Sequence, residues 1–140
     1  MSKIHLVIPD THAHPNFHNK RAEWLGKLIN DVKPDVVIHL GDSADMPSLS
    51  SYDRGTKAFQ GRRYADDINA HLDFNYRLWD IVRASKKRLP ERYFLEGNHE
   101  HRIKKAINIQ PELEGAISFD DLDLERFYDH IIEYNGRSPG

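Results

Sequence analysis

Asp35-Val36-Val37-Ile38-His39-Leu40-Gly41-Asp42 is the stretch that decides the fold. Val36, Val37, Ile38 and Leu40 make a nearly continuous apolar run, too short for a helix, which is the pattern of a strand buried on both faces of a parallel sheet. The run ends on Gly41-Asp42, a polar turn. Upstream, Trp24, Leu25, Leu28 and Ile29 recur at helical spacing between Lys20 and Asn30, and Asp31 to Pro34 closes that segment. Earlier still, Ile4, Leu6, Val7 and Ile8 give Lys3 to Ile8 the same buried-strand pattern, which stops at Pro9-Asp10. Strand, amphipathic crossover helix and strand in this order form a βαβ unit.

Downstream the alternation continues. Residues 43–61 are rich in Ser, Asp, Gly and Pro and show no period, as expected of a loop over the carboxyl ends of the strands. Tyr64, Ile68, Leu72, Leu78, Trp79 and Val82 mark a long helix from about Arg62 to Arg88, ended by Pro90. Arg92 to Leu95 is the third strand, and His99 to Ile109 resumes helical spacing until Pro111. Asp120 to Tyr128 reads as a short acidic helix and Ile131 to Tyr134 as a strand. The expected fold class is α/β, with layers of sheet and helix built from βαβ units.

A chain of 140 residues suits one domain with a modest core, and no repeat, low-complexity tract or linker divides it. Twenty Lys and Arg against 22 Asp and Glu leave a formal charge of -2, so global charge directs the protein neither to nucleic acid nor to acidic membranes. Phosphate recognition would have to be local. The sequence has no cysteine, which excludes disulfides, thiolate zinc sites and cysteine nucleophiles. The run from Ile4 to Ile8 is too short for a signal-peptide core or a membrane span. These features set the expectation of a cytoplasmic protein with no membrane partner.

Each strand ends in a burst of metal-ligand chemistry: Asp10-Thr11-His12, then Gly41-Asp42 with Asp45, then Gly97-Asn98-His99-Glu100. In a parallel sheet the carboxyl ends of neighbouring strands lie side by side, so these residues should converge on one crevice. Oxygen and imidazole donors suit Mn, Fe, Zn or Ni, and a carboxylate can bridge two ions. Gly41 and Gly97 fit the tight turns required where backbone leaves a strand beside a metal or substrate.

Asp10-x-His12, Gly41-Asp42-x-x-Asp45 and Gly97-Asn98-His99-Glu100, in this order and each at a strand end, resemble the first three motifs of the calcineurin-like metallophosphoesterase family. The resemblance implies a hydrolase of phosphomonoesters or phosphodiesters with two divalent metal ions, manganese first, with iron, zinc, nickel or magnesium as alternatives. It implies metal ligation by Asp10, His12, Asp42 and Asn98, with Asp42 bridging and Asn98 also touching the phosphate. His99 would stabilise the transition state or protonate the leaving group, and Asp45 would orient His99 and favour its imidazolium form. Apart from the resemblance, Arg102 follows the third motif and could bind substrate phosphate by its charge. The partner would be a phosphate ester, with nucleotides and nucleic acid as candidates, so a nuclease or nucleotide phosphodiesterase is among the expected activities.

The family pattern continues with a further histidine and a Gly-His-x-His element, and neither occurs before Gly140. His130 lacks the flanking residues of those elements. The resemblance therefore sets the expectation that residues 1–140 carry the first half of the family's αββα sandwich, truncated at the C-terminus. Such a chain would bind metal weakly and could self-associate through uncovered sheet surface.

Blander readings remain beside these. Asp42 and Asp45 could cap a helix. His5 and His39, inside strands, read as core histidines; His101, Lys104 and Lys105 read as a helix surface; Lys86-Lys87-Arg88 reads as a charged helix end. Arg54, Lys57, Arg62 and Arg63, interleaved with Tyr52, Phe59 and Tyr64, could grip single-stranded nucleic acid or could form a surface loop with its aromatics tucked inward. Gly41-Asp42-Ser43 resembles the nucleophile block of Gly-Asp-Ser esterases, but that reading leaves Asp10 and His12 unused. A non-catalytic metal-binding or interaction fragment is the remaining alternative.

Overall fold

The computed structural model describes residues 2–51, 54–57, 61–85 and 87–134. Four strands, β1 (His5–Ile8), β2 (Val36–His39), β3 (Glu91–Leu95) and β4 (His130–Ile132), form one parallel sheet in chain order. The helices are α1 (Lys20–Val32), α2 (Tyr64–Ala84), α3 (Asn98–Ile109) and the single turn α4 (Leu124–Phe127). The α/β class and the strand–helix alternation match the sequence reading. Tyr52, Phe59 and Lys86, which entered two of the basic-stretch readings, lie outside the described residues.

Register explains where the core forms. Leu6 lies beside Val37 and Arg92, and Ile8 lies beside His39, Phe94 and Ile131. Side chains alternate across a strand, so these residues share one face of the sheet. Ile8, Val37 and Phe94 join Ile29 of α1, Phe74, Leu78, Trp79 and Val82 of α2, Ile103 of α3 and Phe127 of α4 in a single buried cluster.

Burial on both faces, expected from the continuous apolar runs, is not what forms. On the opposite face Val7 is 50% exposed, Leu40 just past β2 is 45% exposed, and Ile38, Tyr93, Leu95 and Ile132 are half-buried. Val36, at the start of β2 on the same face, is buried. His5 is exposed rather than a core histidine, whereas His39 is fully buried on the core face.

Half of the apolar stripe expected on α1 also points outward. Trp24 and Leu28 are 62% and 46% exposed, while Ala22, Gly26 and Ile29 are buried and Leu25 packs against the core. Close approach to α2 is the reason. A methyl group on Gly26 would lie 2.7 Å from the Leu78 carbonyl oxygen and 3.1 Å from Ile81 Cβ. Only a small residue fits between these helices. Gly26→Ala should therefore lower stability by about 1–3 kcal/mol of overpacking, offset by roughly 1 kcal/mol of regained helix propensity. A urea midpoint equal to or above the parent's would show that the two helices can separate at little cost.

α2 is shorter than expected at both ends, because Arg63 is already extended and Ser85 caps the last turn. The expected acidic helix from Asp120 to Tyr128 splits at Asp123, whose φ of 48° breaks the chain into a 3-10 turn, Phe119–Leu122, and α4. β4 starts one residue earlier than the sequence suggests and ends two earlier. Polar side chains hold this C-terminal segment to α2 and β3. His71 Nε2 donates to Leu122 O at 2.8 Å, and Tyr128 donates to Asn75 Oδ1 at 3.1 Å. Arg92 pairs with Asp129 at 3.1 Å and lies over the Trp79 ring. No helix among the described residues is long and apolar enough to cross a membrane.

Candidate metal centre

Beyond their last paired residues β1 and β2 do not diverge. His12 N donates to Asp42 O at 2.9 Å, Ala13 N to Ser43 O at 2.6 Å, and Asp45 N to Ala13 O at 2.9 Å. The first two motifs thus stay in register after the sheet ends. His39 secures this arrangement from below. Its Nδ1 accepts from Gly41 N at 3.0 Å, which leaves Nε2–H for Thr11 Oγ1 at 3.2 Å, and Thr11 donates onward to Ser43 O.

Two glycines let the second and third motifs meet. Gly41 has a φ of 94°, a conformation open chiefly to glycine, and a methyl there would overlap the Leu95 carbonyl oxygen and come within 2.5 Å of Gly97 N. A methyl on Gly97 would overlap the backbone nitrogen and carboxylate of Asp42. Each turn occupies the space that the other's side chain would need.

Gly97 precedes α3 and has no side chain to cap it, and Asp42 does so from the neighbouring loop. Its Oδ1 accepts from His99 N at 2.9 Å, in the first turn of α3, where a helix favours negative charge. Glu100 returns the contact: Oε1 accepts from Asp42 N at 2.8 Å and from Gly97 N at 3.2 Å. The capping reading of Asp42 is therefore correct, but the helix it caps is α3, 56 residues further on, rather than a following one. Burial pushes the Glu100 carboxyl up to about 8, and the neighbouring Asp42 charge adds to the effect. Its Oε2 is fully buried.

The expected ligands converge around this junction. Asp10, His12 and Asp42 each offer a donor atom, and the three atoms lie within 4.8 Å of one another, as do those of His12, Asp45 and His99. The Asn98 amide faces the Asp42 carboxylate; in the orientation that lets it donate, its nitrogen lies 2.9 Å from Oδ2 and 3.2 Å from Oδ1. Carboxylate, imidazole and amide donors at this spacing fit a divalent cation.

Asp45 contacts both histidines, in an unexpected way. Its carboxylate meets His12 Nδ1 at 2.8 Å, while His99 Nδ1 donates to the Asp45 backbone carbonyl at 2.6 Å and stands 3.7 Å from Oδ1. His14 Nε2 lies 3.8 Å from the other carboxylate oxygen. Arg102 directs Nη1 to the carbonyls of Asp45 and Met46, at 3.1 and 3.3 Å, so it braces the loop that orients His99. His101 is half-buried between Glu96 and Tyr134 rather than free on the helix surface. Of the residues without an assigned role, Glu100 carried a signal: glycine followed three residues later by glutamate is the spacing of a capping box. Nothing local marked His39 and Thr11.

His39 and His71 are buried and neutral, and burial holds their imidazoles down to about 3 and about 4. Above pH 6.5 both are neutral folded and unfolded, and add no pH dependence. Below it only the unfolded chain takes up their protons, so each removes about 1.4 kcal/mol of stability per pH unit down to about pH 4. Glu100 acts oppositely, its carboxyl being neutral in the fold and ionised in the unfolded chain between about 4.5 and 8. The pair outweighs it. Urea midpoints should fall from pH 6.5 to 4.5, and more shallowly in His71→Gln; parallel profiles would mean that His71 titrates in the folded state.

A carboxylate–imidazole–amide cluster over the carboxyl end of a parallel sheet makes this an α/β protein with a candidate metal site. Residues 5–139 match the family model for the calcineurin-like phosphoesterases, and the chain belongs to that family. A segment of 67 residues is 39% identical to the Gene 54 protein of Mycobacterium phage L5 and, over the same length, 36% identical to the Gene 54 protein of Mycobacterium phage D29. Each alignment covers 48% of this chain and 26% of the relative, so the match spans about a quarter of those proteins. No solved structure matches.

Proposed function

We propose that the chain carries a phosphoesterase centre with two divalent metal ions, manganese first, acting on phosphate esters that include phosphodiesters. The observation that carries the reading is the meeting of Asp10, His12 and Asp42 donor atoms within 4.8 Å beside Asn98 and His99. Asp10 and His12 would hold one ion, Asn98 the other, and Asp42 would serve both. When bound, such ions neutralise charge on phosphoryl oxygens and supply a water activated for in-line attack.

The chain's own residues do the rest. Asn98 offers its amide to a phosphate oxygen from the first residue of α3, where the helix dipole also favours an anion. His99, with Nδ1 spent on the Asp45 carbonyl, keeps Nε2 for the departing oxygen and delivers a proton there as imidazolium. The Asp45 carboxylate stands 3.7 Å from Nδ1. Arg102 fixes the carbonyl that orients His99.

The test measures manganese-dependent hydrolysis of an alkyl phosphodiester alongside metal binding by calorimetry. His99→Ala should lower kcat by roughly a hundredfold, the lower range for a lost general acid, and change metal affinity far less. Metal binding without turnover in the parent would favour a non-catalytic metal-binding fragment. Equal kcat in the variant would remove the proton-donor role.

A further inference from the structure

A groove of about 550 Å³ opens beside Asn98 and runs along α3, lined by Arg54, His101, Arg102, Lys105, Ile109 and Tyr134. Asn98, Arg102, Lys105 and Ile109 stand at positions i, i+4, i+7 and i+11, so they form one face of the helix. Lys105 lies about 10 Å along the axis from Asn98. Among the described residues no carboxylate lines the groove, although the chain as a whole is slightly acidic. Its far wall is aromatic: Tyr134 is 43% exposed, and its ring lies 4.8 Å from that of His101 at 30°. Glu96 fixes this wall, accepting from Tyr134 N and from Lys104 Nζ.

A cationic track with an exposed, positioned ring suits an anionic chain that also carries planar groups. A mononucleotide whose phosphate sat at Asn98 would leave the cations two turns away unused. A phosphopeptide has no regular second anion to meet them.

We propose that this groove is the subsite for the nucleotide next to the scissile phosphate in a single-stranded nucleic acid, with the flanking phosphate on Lys105 and Arg54 and the base against Tyr134. The assignment rests on the phosphoesterase reading above and names its substrate class. Stacking supplies affinity without base selectivity, because every base presents a π-face. The subsite therefore accepts any sequence, and the salt dependence reports its phosphate contacts.

The experiment measures binding of a fluorescein-labelled ten-residue oligothymidylate to the chain in EDTA, by anisotropy, between 50 and 200 mM salt. Tyr134→Ala should weaken binding roughly tenfold, and Tyr134→Phe should restore it, since the ring rather than the hydroxyl makes the contact. Lys105→Ala and Arg54→Ala should each flatten the slope of log affinity against log salt by about 0.7, as loss of one phosphate contact to a single strand requires. Affinity within twofold of the parent in all these variants, or equal competition by thymidine monophosphate, would overturn the proposal. Because metal is absent from this assay, it separates from the phosphoesterase reading. Groove-dependent binding in a chain that never turns over a phosphodiester upholds the subsite and removes the esterase, whereas turnover with groove-independent binding does the reverse.

Discussion

Asp42→Asn is expected to abolish manganese-dependent phosphodiester hydrolysis while leaving the fold nearly intact. Asparagine keeps the size of aspartate and retains an oxygen to accept from His99 N, the bond by which Asp42 caps α3. The backbone contact from Asp42 N to Glu100 does not involve the side chain at all. The structural cost is thus the weakening of the charge-assisted contacts from His99 N and the Asn98 amide, about 1–2 kcal/mol. The functional cost is of another order. A neutral amide removes the charge that two cations would share, so the loss should exceed the roughly thousandfold expected on deleting a single stabilising donor. Calorimetry with manganese, turnover and a urea midpoint read the two effects separately. Parental metal binding in a folded variant would exclude Asp42 as a shared ligand.

Gly97→Ala is expected to cost about 4 kcal/mol or more, the range reserved for changes that a fold cannot absorb. The added methyl would meet the Asp42 backbone nitrogen as well as its carboxylate. The carboxylate could rotate away, but the backbone nitrogen is held by Glu100 and follows Gly41, which is packed tightly against Leu95 and Gly97. Relief therefore requires α3 to shift from the β2 turn. That shift would break the His99-to-Asp42 contact and open the site along with the fold. The variant should show a large drop in denaturant midpoint at unchanged slope, with metal affinity lost in parallel. A variant of parental stability would mean that the turns are less closely apposed.

The fold class and the convergence of three motifs were legible because both depend on local patterns. Short apolar runs alternating with helical periodicity imply parallel strands and crossovers, and parallel strands bring their carboxyl ends together. What escaped was set by packing between distant segments. The inward face of α1 is chosen by how near α2 lies, so Gly26 turns in and Trp24 turns out, although hydrophobicity alone ranks them in reverse. A continuous apolar run in β1 records its place in the sheet and not whether both sides are covered. Within the site, the motifs that resemble the family's implied Asp45 and His99 as neighbours. They did not reveal that the carbonyl of Asp45, rather than its carboxylate, takes the closer contact, because backbone acceptors are common to every residue. His39 and Thr11 escaped for a related reason: their bond spans 28 residues and has no motif of its own.

The sheet's order, β1-β2-β3-β4, has a consequence for how the molecule comes into being. Each strand pairs with the one made just before it, so no strand must wait for a later one to be inserted between it and its neighbour. Such a chain can add its strands in the order of synthesis, each joined to the last through a helical crossover. The motifs then arrive in sequence. Asp10 and His12 are available first, Asp42 and Asp45 join them with β2, and Asn98 and His99 come last, when α3 meets the carboxylate that caps it. A nascent chain halted after α2 should already protect the amides of β1 and β2 against hydrogen exchange, yet it cannot present the third motif. The three-motif cluster would thus be complete once α3 has packed, before β4 adds to the sheet.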